Sequence, residues 1–194
     1  MRKLIFATKN NGKVEEVRNI FMNKKVQILS LSDIDFQGDI VEHGSTFEEN
    51  AVIKAKYVYD LYKLPILADD SGLVVKKLNG EPGIFSARYA GVDATDADNN
   101  QKLLKKLMNI PKPHKAEFMC AAVFYNGEKP AIVVGIMNGE IIDSPRGKNG
   151  FGYDPLFVPD GYNLTAAEMN PEIKNQISHR YKAFSKLINS LEGI

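Results

Sequence analysis

Ala116-Glu117-Phe118-Met119-Cys120-Ala121-Ala122-Val123-Phe124-Tyr125 runs directly into Asn126-Gly127, and a second strand-like run, Ala131 to Ile142, follows that dipeptide. Asn-Gly between two such runs is a strong hairpin signal, because both residues accept the positive φ of a tight turn. Pro130 delays the second strand, since proline cannot donate to a ladder. The first run is apolar almost throughout, which predicts burial by helices on both faces. Upstream the texture differs. Leu4-Ile5-Phe6-Ala7 reads as a short buried strand. A helix follows it, capped by Asn10 or Asn11, with Val14, Val17 and Phe21 on one face. Thr46 and Glu49 have capping-box spacing ahead of a second helix with Phe47, Ala51, Ala55, Val58 and Tyr62 on its apolar face. Pro65 stops that helix and Ile66-Leu67-Ala68 is the next strand. A third helix spans roughly Thr95 to Met108, with Leu103, Leu104, Leu107 and Met108. A last helix carries Ile177, Tyr181, Phe184, Ile188 and Leu191 on one stripe. Strand-helix alternation followed by a hairpin predicts an α/β (mixed α+β) fold, a mixed central sheet flanked by helices, with the long central strands either in one sheet or split into two lobes. With no repeat, low-complexity segment or long linker, residues 1–194 read as one domain.

Composition narrows the partners. The 25 Lys+Arg against 24 Asp+Glu give a net charge of +1, so no global field exists to hold a nucleic acid. Phosphate binding must therefore come from local geometry. One cysteine, Cys120, excludes a disulfide within the chain and points to a reducing compartment. In its apolar run it reads as a small core residue rather than a nucleophile. No stretch approaches the ~20 apolar residues of a membrane span, and the run after Met1-Arg2-Lys3 is too short for a signal peptide. The expected location is the cytoplasm, with no membrane and no nucleic acid as partner.

Leu67-Ala68-Asp69-Asp70-Ser71-Gly72 is the most informative chemical feature. Two adjacent carboxylates, where the strand is expected to give way to a Ser-Gly turn, need a compensating cation: a metal, which takes carboxylate oxygens when hard, or a basic pocket. The plainer alternative is one solvated acid and one that caps the turn. Neighbours on an extended chain point to opposite faces. One acid thus serves chemistry and the other braces the turn, Asp69 where Asp70 takes the chemical role.

Three further segments carry chemistry. Thr8-Lys9-Asn10-Asn11-Gly12-Lys13 lies between the first strand and first helix, where unpaired N–H groups and the helix dipole favour an anion. It lacks the P-loop spacing, and a polar turn with solvated lysines is its plain alternative. Glu42, just ahead of the second helix, can complete a carboxylate set with Asp69 and Asp70, while His43 beside it reads as a surface residue. Gly147-Lys148-Asn149-Gly150-Phe151-Gly152-Tyr153-Asp154-Pro155 interleaves glycines with aromatics, a loop able to stack on a flat ligand or simply to pack its rings inward. Lys174 and Ser178-His179-Arg180 stand at the entry to the last helix. At 100° per residue from Ile177, His179 points away from the apolar stripe and Arg180 lies on its flank, both available to a ligand.

In this order, these segments resemble the inosine triphosphate pyrophosphatase family, the non-canonical purine NTP pyrophosphatases also called Ham1-like or RdgB-like proteins. Thr46-Phe47-Glu48-Glu49-Asn50-Ala51 and Pro82-Gly83-Ile84-Phe85-Ser86-Ala87-Arg88-Tyr89 add to the match, which covers nearly the whole chain. The resemblance implies an elongated fold with its active-site cleft between two lobes, and a homodimer. It implies Mg²⁺-dependent hydrolysis of ITP, dITP or XTP to the monophosphate and pyrophosphate, which cleanses the nucleotide pool of deaminated purines. By the same analogy Asp70 is the general base and a metal ligand, and Glu42 the other metal carboxylate. Thr8, Lys9, Asn10, Asn11, Gly12 and Lys13 cradle the triphosphate and Ser71 contacts substrate. Phe151, Gly152, Tyr153, Asp154, Lys174, His179 and Arg180 form the nucleoside pocket.

The chemistry is consistent with that assignment. An ionised Asp70 accepts a proton from the attacking water, and the cation offsets charge on the pyrophosphate leaving group. Donors from Arg180 and the Phe151–Asp154 backbone would accept a 6-keto oxygen but stand unpaired against the 6-amino group of ATP, at ~1–3 kcal/mol each. Two readings stay open beside it: a pyrophosphatase for modified pyrimidine or methylated nucleotides, and a nucleotide sensor without turnover.

Overall fold

The computed structural model describes residues 2–190. Its elements are β1 (Arg2–Phe6), α1 (Asn11–Phe21), β2 (Val26–Ser30), α2 (Phe47–Tyr62), β3 (Ile66–Val75), α3 (Asp96–Leu107), β4 (His114–Tyr125), β5 (Ala131–Ile141), β6 (Phe157–Pro159), α4 (Pro171–Ile177) and α5 (His179–Ser190), with 3-10 turns at Lys76–Leu78 and Gly83–Arg88. The strands form one mixed sheet in the order β2-β1-β3-β4-β5-β6. β1 pairs in parallel with both β2 and β3, while β5 and β6 are antiparallel. This is the helix-flanked mixed sheet that the sequence predicts.

The local signals act as expected. Asn10 caps α1 by accepting from the Lys13 N–H, and Thr46 caps α2 by accepting from Glu49. The Glu49 carboxylate takes the Ser45 N–H at 2.6 Å, one residue ahead of the reciprocal capping-box bond. Thr95 and Asp98 close a full capping box on α3. Gly127 supplies φ +98° at the turn between β4 and β5. β2 and β6 carry no such markers: β2 is five residues long and β6 three, too short for a period to stand out.

The chain divides into two compact units. The first comprises residues 1–70, 120–135 and 179–194. Its core joins Leu4 and Phe6 of β1, Val14, Val17 and Phe21 of α1, Cys120 and Ala122 of β4, and Phe184, Leu187 and Ile188 of α5. Phe6 meets Phe184 edge-on at 5.7 Å, and burying each such ring contributes roughly 1.5–3 kcal/mol. The second comprises residues 71–119 and 136–178, with Leu73, Val75, Leu103, Leu107, Phe118, Met137, Tyr153 and Phe157 at its centre.

Two expectations are corrected. β3 does not end in a Ser-Gly turn but continues through Ser71-Gly72 to Val75. Gly72 is there for space: a Cβ on it would stand 2.3 Å from Ser86 Oγ and 2.5 Å from the Gly83 carbonyl oxygen. Ser86 Oγ in turn accepts from the Leu73 N–H at 2.9 Å. The last helix is two helices. Ser178, extended at φ −64°, ψ 151°, ends α4 before α5 begins at His179. The break resets the helical phase, so a projection from Ile177 misplaces His179, Arg180 and the exposed Tyr181, although Phe184 and Ile188 are buried as expected. Ile177 packs against the second unit's core, whereas Phe184 and Ile188 belong to the first unit's. Leu191 lies outside the described residues.

Candidate active site

Asp69 and Asp70 head two separate groups of charged side chains, divided by the pleat of β3. Asp69 and Asp70 are 1% and 7% exposed, and because β3 runs straight through them they face different partners. Asp69 Oδ2 accepts from Arg180 Nε at 3.1 Å and pairs with Lys13 Nζ at 3.1 Å. Arg180 Nη1 also donates to Glu16 Oε2 at 2.5 Å. The result is a buried ion chain, Glu16–Arg180–Asp69–Lys13, in which α1 contributes both ends, β3 the aspartate and α5 the arginine. Burial by itself would raise the Asp69 carboxyl, but Lys13, Arg180 and Lys54 outweigh it and hold it well below the ordinary carboxylate range. The Cys120 thiol points at Asp69 Oδ2 from 3.7 Å and is pushed far up by burial and that charge. It is a core residue, as its sequence context suggests, and not a nucleophile.

Asp70 faces α2. Asn50 Nδ2 donates to Asp70 Oδ2 at 3.1 Å, and Lys54 Nζ lies 3.5 Å from Asp70 Oδ1 and 2.9 Å from Glu42 Oε1. Asn50 Oδ1 also accepts from the Gly44 N–H at 2.8 Å, so one amide braces both β3 and the loop that carries Glu42. Burial raises the Asp70 carboxyl against the pull of Lys54 and Lys13, and Glu42 raises it further. Lys54 is held in its charged form, burial being overcome by Asp70, Glu42 and Asp69.

The Thr8–Lys13 loop connects β1 to α1. Thr8 Oγ1 accepts from the Asn10 N–H at 3.1 Å, which orders the turn that leads into the helix N-terminus. Lys9, Asn10 and Asn11 are exposed and Gly12 half-buried. Lys9 donates to the Gly38 carbonyl at 2.8 Å. Lys13 is held by Asp69, so the loop presents a helix N-terminus with an anchored ammonium beside it.

In the second unit, Lys174 Nζ donates to Asp154 Oδ2 at 2.7 Å, both side chains being buried, and stands 5.2 Å from the Phe151 ring centroid. Asp154 Oδ2 also accepts from the Phe151 N–H at 3.1 Å, which locks the loop around the lysine. Gly152 has φ +63° and open space beside it. Tyr153, however, is a core residue, 4% exposed, with its hydroxyl donating to the Ser86 carbonyl at 2.9 Å. Of the two rings expected to stack on a ligand, its side chain is spent on packing. His179 and Arg180 are corrected likewise: they are 7% and 1% exposed rather than facing outward. The α4–α5 break is the reason. Ser71 is half-buried in β3, and His43 is exposed, as expected.

The sequence alone gives no role to Asn50, Lys54 or Glu16. A signal for the first two exists: positions 47, 50, 51, 54, 55 and 58 form the buried stripe of α2, with Asn and Lys where a plain amphipathic helix has apolar residues. A buried polar residue in a core stripe needs a partner. Glu16 carries a weaker version of the same mark beside Val17 in α1.

The sequence pattern of the Ham1 family matches residues 4–190. The chain belongs to the Ham1 family. Among curated relatives, the dITP/XTP pyrophosphatase of Thermoanaerobacter pseudethanolicus is 47% identical over 188 residues, covering 96% of this chain and 95% of that protein. That of Geobacillus kaustophilus is 48% identical over 196 residues, covering 100% and 96%. Among solved structures, a HAM1 protein from Coxiella burnetii superposes with a TM-score of 0.90 at 41% identity, covering 100% of both chains. The nucleoside-triphosphatase / dITP/XTP pyrophosphatase of Mycobacterium abscessus gives 0.77 at 39% identity, covering 96% of this chain and 98% of that one. The mixed sheet with flanking helices is thus the Ham1 fold, shared over nearly the whole length.

Glu42 and Asp70 fit a hard divalent cation by donor chemistry and by placement, since both already converge on one cation, the Lys54 ammonium. Among the described residues no group of three or more His, Cys, Asp and Glu side chains is set to hold a metal ion. Mg²⁺ is commonly bound through one or two carboxylates with substrate phosphates completing its shell, and two carboxylates suit that mode.

Proposed function

We propose that this Ham1-family chain hydrolyses dITP, XTP and ITP to the monophosphate and pyrophosphate with Mg²⁺, as a cytoplasmic homodimer. The observation that carries the reading is the convergence of Glu42 and Asp70 on one cation, next to the basic helix N-terminus that ends in Lys13. The names of the relatives supply the substrate class. No helix among the described residues is long and apolar enough to cross a membrane, and the one cysteine is buried and free.

Each group has a proposed task. The Thr8–Lys13 loop holds the triphosphate with the N–H groups of the first turn of α1, and Lys13 adds an ammonium that Asp69 keeps in place. Asp70 accepts the proton of the attacking water as the α–β anhydride breaks and pyrophosphate leaves. Glu42 and Asp70 would hold the Mg²⁺, which when bound neutralises phosphate charge that grows on the leaving group. Phe151, Gly152, Asp154 and Lys174 receive the base. The backbone donors expected for a 6-keto oxygen are corrected, since the Phe151, Gly152 and Asp154 N–H groups already bond Asp154 Oδ2, Asp96 Oδ2 and the Phe151 carbonyl. Ser71 and His179 complete the proposed contacts. Arg180, with Nε and Nη1 spent on Asp69 and Glu16, is a positioning residue for Asp69 and Lys13.

The test is pyrophosphate release across a panel of purine and pyrimidine triphosphates with and without Mg²⁺, repeated with Asp70→Asn. Release from dITP and XTP well above dATP and dGTP, lost in Asp70→Asn with nucleotide binding kept, is the expected result. A peak on a modified pyrimidine overturns the purine assignment, and binding without pyrophosphate release by the wild type overturns the enzyme.

A further inference from the structure

Lys54 stands where two demands meet. Its ammonium lies 2.9 Å from Glu42 Oε1 and 3.5 Å from Asp70 Oδ1, with only 9% of its side chain exposed. It is placed by α2, one helical turn beyond Asn50, whose amide fixes both Asp70 and the Glu42 loop. The two carboxylates assigned to Mg²⁺ are thereby neutralised in part by a side chain of the protein itself. A divalent ion taking the same oxygens at its usual ~2.0–2.1 Å would stand next to that ammonium in a buried setting, where like charges repel strongly. Lys54 must therefore leave before a metal can enter. An ammonium left without its carboxylates in a buried setting is costly, and a polyphosphate is an anion suited to receive it.

We propose that Lys54 is a resident counter-ion that reserves Glu42 and Asp70, so that divalent metal binds this protein only together with a triphosphate, whose oxygens take over the Lys54 ammonium. The proposal rests on the metal assignment made above and adds to it an order of assembly. The consequence is coupling: triphosphate raises metal affinity and, by reciprocity, metal raises triphosphate affinity. A protein built this way does not collect free divalent ions between turnovers.

The experiment counts free Mn²⁺ by electron paramagnetic resonance, with Mn²⁺ as the probe for Mg²⁺. Wild type is titrated with Mn²⁺ alone and with Mn²⁺ plus the α,β-imido analogue of dITP, whose α–β linkage resists hydrolysis, with the Mn²⁺ that the analogue holds without protein measured and subtracted. Lys54→Met, which keeps the stem and removes the charge, and Lys54→Arg, which keeps the charge, are titrated with Mn²⁺ alone. Circular dichroism checks the fold of each. Wild type and Lys54→Arg are expected to bind Mn²⁺ alone at least tenfold more weakly than Lys54→Met. The analogue should bring wild type at least to the Lys54→Met affinity, and Glu42→Gln added to Lys54→Met should abolish the gain. Tight Mn²⁺ binding by wild type without nucleotide overturns the proposal by itself, whatever the variants do. Equal affinities for wild type and Lys54→Met overturn it too, and leave the metal assignment standing if the analogue still recruits Mn²⁺. No Mn²⁺ binding in any arm, analogue included, overturns the metal assignment and the proposal with it.

Discussion

Replacing Asp69 by Asn tests the buried ion chain. The carboxylate is fully shielded and holds Arg180 at 3.1 Å and Lys13 at 3.1 Å. Arg180, itself 1% exposed in its side chain, keeps only Glu16 of these two acids after the change. Removing one partner of a buried pair costs about 3–5 kcal/mol because a charge is left poorly compensated. Asn retains one acceptor and the volume, which places the expected loss near the lower end, about 3 kcal/mol. For a chain of this size 1 kcal/mol moves the melting temperature by about 2–4 °C, so Asp69→Asn should melt about 6–12 °C below wild type at pH 7 by circular dichroism.

The pH dependence has a definite sign. The Asp69 carboxyl titrates below its ordinary value of 3.8 in the folded protein. Its stabilisation is therefore fully present above 3.8 and disappears as pH falls below that value towards the folded one. The gap between wild type and variant should stay constant from about pH 7 to 5 and narrow only below about pH 4. A variant that melts within about 2 °C of wild type at pH 7, or a gap that widens on acidification, refutes the ion chain as a stabilising element.

Two other substitutions probe the frame. Asn50→Ala removes both the donor to Asp70 and the acceptor of the Gly44 N–H. Loss of such an outer partner typically costs 10–100-fold, so kcat/KM for dITP should fall by about that factor with the fold intact. A change below about twofold contradicts the bracing role. Gly72→Ala puts a Cβ 2.3 Å from Ser86 Oγ and 2.5 Å from the Gly83 carbonyl oxygen. Overpacking of this kind costs about 1–3 kcal/mol, to be seen as an earlier urea midpoint. An unchanged midpoint says that β3 and the Gly83–Arg88 turn are not in close contact.

What the sequence reveals here is what local chemistry decides. Asn10, Thr46 and Thr95 cap their helices, and Asn126-Gly127 turns β4 into β5, because caps and tight turns depend on residues a few positions apart. The acid pair was legible as two residues with different partners, since that follows from the strand period alone. The misread points depend on distant neighbours. Gly72 resembles a turn glycine until Ser86 is known to press on it, and Arg180 resembles a surface arginine until Asp69 and Glu16, 111 and 164 positions away, are known to hold it. Lys54 and Asn50 were legible in principle, as polar residues inside an apolar stripe. The acidic partners that explain them lie 12 to 20 positions away in the chain, beyond the reach of periodicity.

The most direct measurement is initial-rate pyrophosphate release from dITP and dATP, with Mg²⁺, by wild type and Asp70→Asn. Wild type should release pyrophosphate from dITP far faster than from dATP, and the variant none above background although it still binds dITP. Equal rates on the two nucleotides, or an active Asp70→Asn, would contradict the proposed function.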